Sequence, residues 1–309
     1  MHNMKTILIL SDFSVRAQSA AEFALYTALN IKANVVLCHA LEVLESDPVV
    51  EPLSWPIGDH LTLKQEAVGD LRALALHLET LIPSYDTTSF KPEITCVVDF
   101  GRLAAVASKM VVENKVDLVV MGAHKSSSFA RLLFDSHTHH ILDTISCPVL
   151  LVPESLKLYD VSTITYGTDL TFNDKRVLGY LNDFADAFNS QVQILHISPK
   201  AAFEDIPNSL QSLAAAQLMK YNPKMNFISI KSDNVPKSLL EITARTHTRI
   251  LALVHKRYSF FDRLFQTSVS KKLADMALVP LLIMPYSFSV DNMSDEQLEY
   301  YCYERSGTR

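Results

Sequence analysis

The four cysteines form no C-x-x-C pair, the bases do not outnumber the acids, and no apolar run approaches the length of a bilayer. Each absence excludes something. Cys38, Cys96, Cys147 and Cys302 lack the spacing of a zinc ribbon or a redox pair. Three of them sit inside apolar runs, where a free thiol behaves as a small hydrophobe, and that usage suits a reducing compartment. Lys and Arg total 28 against 34 Asp and Glu, a formal charge of -6 with a pI near 6.0. That balance is wrong for a protein that displaces counterions from a phosphate backbone, so nucleic acid is not an expected partner. The opening MHNMKTILILSDFS offers only a short apolar stretch before Ser11 and Asp12, whereas a membrane span needs about 20 apolar residues. The expectation is a cytoplasmic protein with no membrane partner. Catalytic motifs are missing too: there is no G-x-S-x-G elbow, no H-E-x-x-H and no G-x-x-x-x-G-K-[ST], so no enzyme is expected.

What is there is a large core written in short apolar runs. At 309 residues and 48% hydrophobic, the chain suits two domains of roughly 150 residues. KTILILS, ANVVLCHA, EITCVV, DLVVMG and CPVLLVP read as buried strands of a parallel sheet, rich in Val, Ile and Leu with little polar alternation. Between them lie stretches with apolar residues at helical spacing, from SVRAQSAAEFALYTALNI to SHTHHILDTI.

The same unit is then repeated. STITYGT, QVQILHIS, KMNFISIK, RILALVH and VPLLIMP read as five more strands. An offset of 157 pairs Asp12 with Asp169 and His39 with His196. An offset of 132 pairs Ser136 with Ser268, Asp143 with Asp275, Pro148 with Pro280, Leu150 with Leu282 and Pro153 with Pro285, which is the signature of an internal duplication. The first copy is longer between its second and third strands, where LEVLESDPVVEPLSWPIG holds the only Trp. The expected domains are 1–156 and 157–285, with a tail over 286–309 in which Ser294 and Gln297 have capping-box spacing for a short helix.

These residues resemble a known family. ILILSDFS is similar to the first strand of universal stress proteins, VVLCHALE to their second, and VVMGAHK…DSHTHHIL…CPVLLVP to their signature region. The resemblance runs from about Lys5 to Pro285, with the second copy more diverged. It implies an α/β fold of two tandem doubly wound domains, each a five-stranded parallel sheet of order 3-2-1-4-5 with helices on both faces. It also implies that the fifth strands pair across a pseudo-twofold axis. Right-handed βαβ crossovers build such sheets on their own account, and they leave a crevice at the carboxyl ends of the strands where the order reverses.

The resemblance also carries a nucleotide site. In nucleotide-binding relatives the Asp ending the first strand meets the nucleoside, the residue after the second-strand His frames adenine, and a G-x2-G-x9-G-[ST] loop holds the phosphates. By position these are Asp12, Ala40, Gly122, Lys125, Asp135 and Ser136. Two of the four loop residues depart from the pattern. A Cβ-bearing residue turns bare N–H groups toward phosphate less readily than glycine, and a carboxylate repels a triphosphate. The helix start at Asp135 or Ser136 favours an anion, so Lys125 and Asp135 either pair across the loop and plug the site, or Lys125 faces the crevice. In that second arrangement Lys125, with His124 and His137, binds a smaller anion or a nucleoside monophosphate. The second copy keeps Asp169 and Ser268, with Ile197 in the place of Ala40, Val254 in the place of Gly122, and Arg257 and Thr267 at the other two loop positions. ATP or AMP is the ligand the resemblance admits, and no cofactor is required.

The histidines His124, His137, His139 and His140 raise a metal reading, with His137 and His140 one turn apart. Soft structural sites add Cys or carboxylate at fixed spacings, and Cys147 begins a buried strand instead, so no metal is expected. His39 and His196 are expected to line the crevice or satisfy the core rather than to catalyse. The reading is a stress-response binding or signalling module with degenerate nucleotide sites, the alternatives being an ATP or AMP sensor through the first domain and a nucleotide hydrolase. Its partners would be an adenine nucleotide or small anion, other proteins, and a second copy of the chain.

Overall fold

The computed structural model describes residues 5–42, 57–85, 90–123, 136–154, 156, 160–168, 175–198, 200, 225–255, 279–285 and 287–288. Lys125, Asp135, His124, Asp169, Arg257, Thr267, Ser268 and the C-terminal tail beyond residue 288 lie outside the described residues.

The first five strands are β1 (Lys5–Leu10), β2 (Ala33–Leu41), β3 (Ile94–Phe100), β4 (Leu118–Ala123) and β5 (Val149–Pro153). They are separated by α1 (Val15–Ile31), α2 (Ile57–Tyr85), α3 (Leu103–Glu113) and α4 (Ser136–Thr144). The second five are β6 (Thr163–Thr168), β7 (Gln191–Ser198), β8 (Met225–Lys231), β9 (Ile250–His255) and β10 (Leu281–Pro285), with α5 (Lys175–Phe188) and α6 (Val235–Arg245) among them. Each apolar run named above forms a strand. No helix of the described residues is long and apolar enough to cross a membrane.

All ten strands join one sheet in the order β3-β2-β1-β4-β5-β10-β9-β6-β7-β8. Each half has the order 3-2-1-4-5, and the whole reads the same from either edge. Pairing is parallel within each half and antiparallel at the seam, where Leu281, Leu282 and Ile283 oppose Leu151, Leu150 and Val149. The seam pairs two strands that would otherwise be open edges, each fully buried.

Alternation along the strands builds a core on each face. Ile7 and Ile9 join the core that α1, α2 and α5 cover, while Leu8 and Leu10 join the core beneath α3, α4 and α6. Both cores run through both halves, and Tyr26 of α1 meets Phe188 of α5 with ring centroids 5.7 Å apart. The outermost strands depart from the sequence reading. β3 and β8 are only partly buried, because an edge strand has a neighbour on one side alone. Cys38 and Cys147 lie in the interior, and burial pushes both thiols up to about 12, with the charges of Asp99 and Asp117 adding to it. Both are therefore neutral hydrophobes at physiological pH.

The seam makes a direct test of how the halves depend on each other. Leu150 is fully buried opposite Leu282. Leu150→Ala is expected to lower unfolding free energy by about 2–5 kcal/mol, with the transition remaining a single one by both fluorescence and circular dichroism in urea.

Candidate functional site

At the carboxyl ends of β1, β2 and β4, where the strand order reverses, a crevice of about 270 Å³ opens. Its wall includes Leu10, Ser11 and Asp12 from the end of β1, His39, Ala40 and Glu42 from β2, Leu103 from α3, and Met121 and Gly122 from β4. Arg16 and Ala17 of α1 complete it. Three residues taken from widely separated motifs, Asp12, Ala40 and Gly122, thus meet around one space. Ser136 opens α4 and His137 follows in its first turn.

The turn between β1 and α1 explains how Asp12 is held. Phe13 takes a left-handed conformation (φ 61°), uncommon for a bulky residue, and its amide donates to Ser11 Oγ at 3.2 Å. Its ring lies 4.4 Å from that of His39. Ser14 then caps α1, accepting from the Ala17 amide at 3.3 Å in the usual manner of a helix N-cap. The Asp12 carboxylate accepts from the Ser14 amide at 3.1 Å and from the Ser14 hydroxyl on one oxygen, and from the Arg16 guanidinium on the other. Burial works against its ionisation, yet the Ser14 bonds and the Arg16 cation outweigh burial and hold the carboxyl below its ordinary range.

Arg16 and Glu42 are the residues that the sequence reading missed. Arg16 stands four positions after Asp12, the spacing at which helical neighbours meet, and that pattern is the signal that would have found it. Glu42 enters through tertiary placement alone, and its carboxylate accepts from the Leu103 amide at 3.5 Å. With Asp12, Glu42 and Arg16, the described lining carries two carboxylates against one guanidinium.

Gly122 has a packing reason for being glycine. A Cβ there would stand 2.7 Å from the Arg16 carbonyl oxygen and 3.0 Å from the Ala17 nitrogen, both backbone atoms of α1. The strand and the helix touch where a methyl group cannot fit. The position is therefore fixed by helix-on-strand contact, independently of any phosphate.

The histidines at the ends of β2 and β7 repeat one hydrogen bond. His39 Nδ1 donates to the Ser11 carbonyl at 2.7 Å, and His196 Nδ1 donates to the Thr168 carbonyl at 3.1 Å. Both pairs obey the 157-residue offset. A carbonyl only accepts, so each ring carries its proton on Nδ1 and ties the second strand to the end of the first. In the second half His196 is buried and its Nε2 has no partner among the described residues. Ile197, the counterpart of Ala40, is half-buried and packs against the core on the α3, α4 and α6 face.

The model of the universal stress protein family matches residues 3–153. A relative from Thermus aquaticus, the "Universal stress protein in QAH/OAS sulfhydrylase 3'region", is 30% identical over 149 residues, covering 48% of this chain and 98% of the relative. The chain belongs to the universal stress protein family. A solved universal stress protein from Archaeoglobus fulgidus has a TM-score of 0.59 at 12% identity, over 90% of this chain and 95% of its own. A Pseudomonas aeruginosa protein of unknown function has a TM-score of 0.57 at 11% identity, over 97% of this chain and 98% of its own. At such identities the likeness is one of fold, and it extends through both halves.

Two expectations follow. Gly122→Ala forces its methyl group onto α1 backbone, so it should destabilise the protein by about 1–3 kcal/mol in urea unfolding, whether or not nucleotide is present. The depressed Asp12 pKa gives a signed pH effect. Its contribution is present above the unfolded value of about 4 and disappears as pH falls through the lower folded value. Asp12→Asn should therefore flatten the acid limb of unfolding free energy below about pH 5, an effect kept small by the exposure of half the side chain.

Proposed function

We propose that this chain is a tandem universal stress protein of a reducing, cytoplasmic compartment, a non-catalytic binding or signalling module whose nucleotide sites are degenerate. The observation that carries this reading is the crevice itself. Asp12, Ala40 and Gly122 surround it as the resemblance requires, but the Asp12 acceptors are taken up by Ser14 and Arg16, and the Glu42 carboxylate adds negative charge. A ribose hydroxyl would have to compete with Arg16, and a triphosphate would meet a lining with more carboxylate than guanidinium. Lys125 and Asp135 stand where the phosphate loop of the family has glycine. The unpaired, neutral Cys38 and Cys147 support the reducing compartment. Tandem organisation, with domains near 1–156 and 157–285, is supported by the two sequence offsets and by the sheet order, which is the same in each half.

The second reading is an ATP or AMP sensor through the first half, and the convergence of Asp12, Ala40 and Gly122 on one crevice favours it. Titration calorimetry of the full chain with ATP, ADP and AMP in the presence of Mg²⁺ separates the two. The expected result is no saturable micromolar binding of ATP, no phosphate release, and no nucleotide recovered from denatured protein. The double substitution Lys125→Gly with Asp135→Gly restores glycine at the two loop positions where the family has it, and is expected to raise ATP affinity by about tenfold, or about 1.4 kcal/mol. Tight ATP binding by the unaltered chain, at one site, would establish the sensor instead.

A further inference from the structure

The first face of α4 carries groups that the crevice does not use. His139 and Asp143 stand one helical turn apart, i and i+4, which aims both side chains to the same side. Opposite them, at the carboxyl end of β9 in the other half of the molecule, stands His255. His139 Nδ1 lies 3.0 Å from one Asp143 oxygen, and His255 Nε2 lies 3.2 Å from the other. The two imidazoles are perpendicular, 5.4 Å between centroids, and the three donor atoms all fall within 4.8 Å of one another.

We infer that His139, Asp143 and His255 form a site for a borderline divalent transition ion, zinc in the first instance, that clasps the two halves together. The donor set is two imidazole nitrogens and a carboxylate oxygen, the composition that suits zinc and its neighbours rather than calcium or magnesium. Spacing agrees. A tetrahedral ion with ligands at 2.0–2.1 Å holds them about 3.3 Å apart, and both nitrogen-to-carboxylate separations are already close to that. Small rotations about the side-chain bonds of His139, which is half exposed, would bring the donors onto one ion, while the side chain of His255, only 7% exposed, holds the fixed corner. Three protein ligands leave a fourth position for water. On binding, the ion displaces the N–H protons at His139 Nδ1 and His255 Nε2, each neutral ring carrying its proton on the other nitrogen by exchange with solvent, while the ionised carboxylate supplies the third ligand.

The metal reading weighed in the sequence rested on the run His124, His137, His139 and His140 and was set aside for want of a Cys or carboxylate at ligand spacing; the proposed set keeps His139 and takes its carboxylate from Asp143 and its second imidazole from His255. The duplication does not repeat the set. The 132-residue offset carries Asp143 to Asp275 but His139 to Lys271, and it carries His255 back to Ala123. One ion per chain is therefore the expected stoichiometry.

The test uses the full chain, freed of metal with a chelator and then titrated with zinc against a chromophoric competitor. Cobalt provides a second readout, through the visible bands of four-coordinate Co(II). The unaltered chain should take up one zinc per chain and gain thermal stability with it. His139→Ala, at a half-exposed position that the fold does not need, should weaken zinc by about 100-fold or more, since even groups behind the ligands are worth 10–100-fold. His255→Ala should do the same, and His140→Ala, an exposed neighbour outside the cluster, should change nothing. Absence of stoichiometric zinc uptake would overturn the assignment and leave a hydrogen-bonded His–Asp–His clasp. Uptake that persists unchanged in both His139→Ala and His255→Ala would overturn it equally, by placing the ion elsewhere.

Discussion

The antiparallel pairing of β5 with β10 is the contact on which the rest of the molecule depends. Three residue pairs, Val149 with Ile283, Leu150 with Leu282 and Leu151 with Leu281, fuse two five-stranded sheets into one of ten strands. Both strands are fully buried, so separation would expose apolar faces and unpaired backbone groups together. Because the seam is antiparallel, α4 of the first half lies beside β10 and the end of β9 of the second. That arrangement brings Asp143 within hydrogen-bonding reach of His255, 112 residues away.

The two halves keep the same histidine-to-carbonyl hydrogen bond at the carboxyl ends of their parallel strands, yet the residues there differ. In the first, Gly122 lets β4 approach α1 closely and Arg16 neutralises Asp12. In the second, Val254 occupies the glycine position and the buried imidazole of His196 has no partner for its Nε2 among the described residues. The two halves share a backbone arrangement, which packing enforces, while the side chains at these strand ends differ.

Much of this was open to reading from the sequence, for identifiable reasons. Ten apolar runs of strand length, rich in branched residues and separated by helical periods, leave few arrangements other than a parallel sheet covered on both faces. The two offsets pair residues of the first half with residues of the second, and the sheet has the same strand order in each half. Asp12, Ala40 and Gly122 are named by the family resemblance, and they share one crevice because strand ends at a switch point converge. Arg16 and Glu42 are not legible as crevice residues, since nothing in their local sequence distinguishes a crevice-lining charge from a solvated one.

The sequence by itself determined the fold class, the ten strands and the positions of the strand ends, because periodicity and topology act through backbone geometry that many side chains satisfy equally. Only the tertiary structure decided which charges share an enclosure. It set Arg16 on Asp12, and it showed that Gly122 is held by a backbone contact at a distance no Cβ tolerates. It also gathered His139, Asp143 and His255 from the two halves, a proximity that depends on which strand edges meet and that no local pattern encodes.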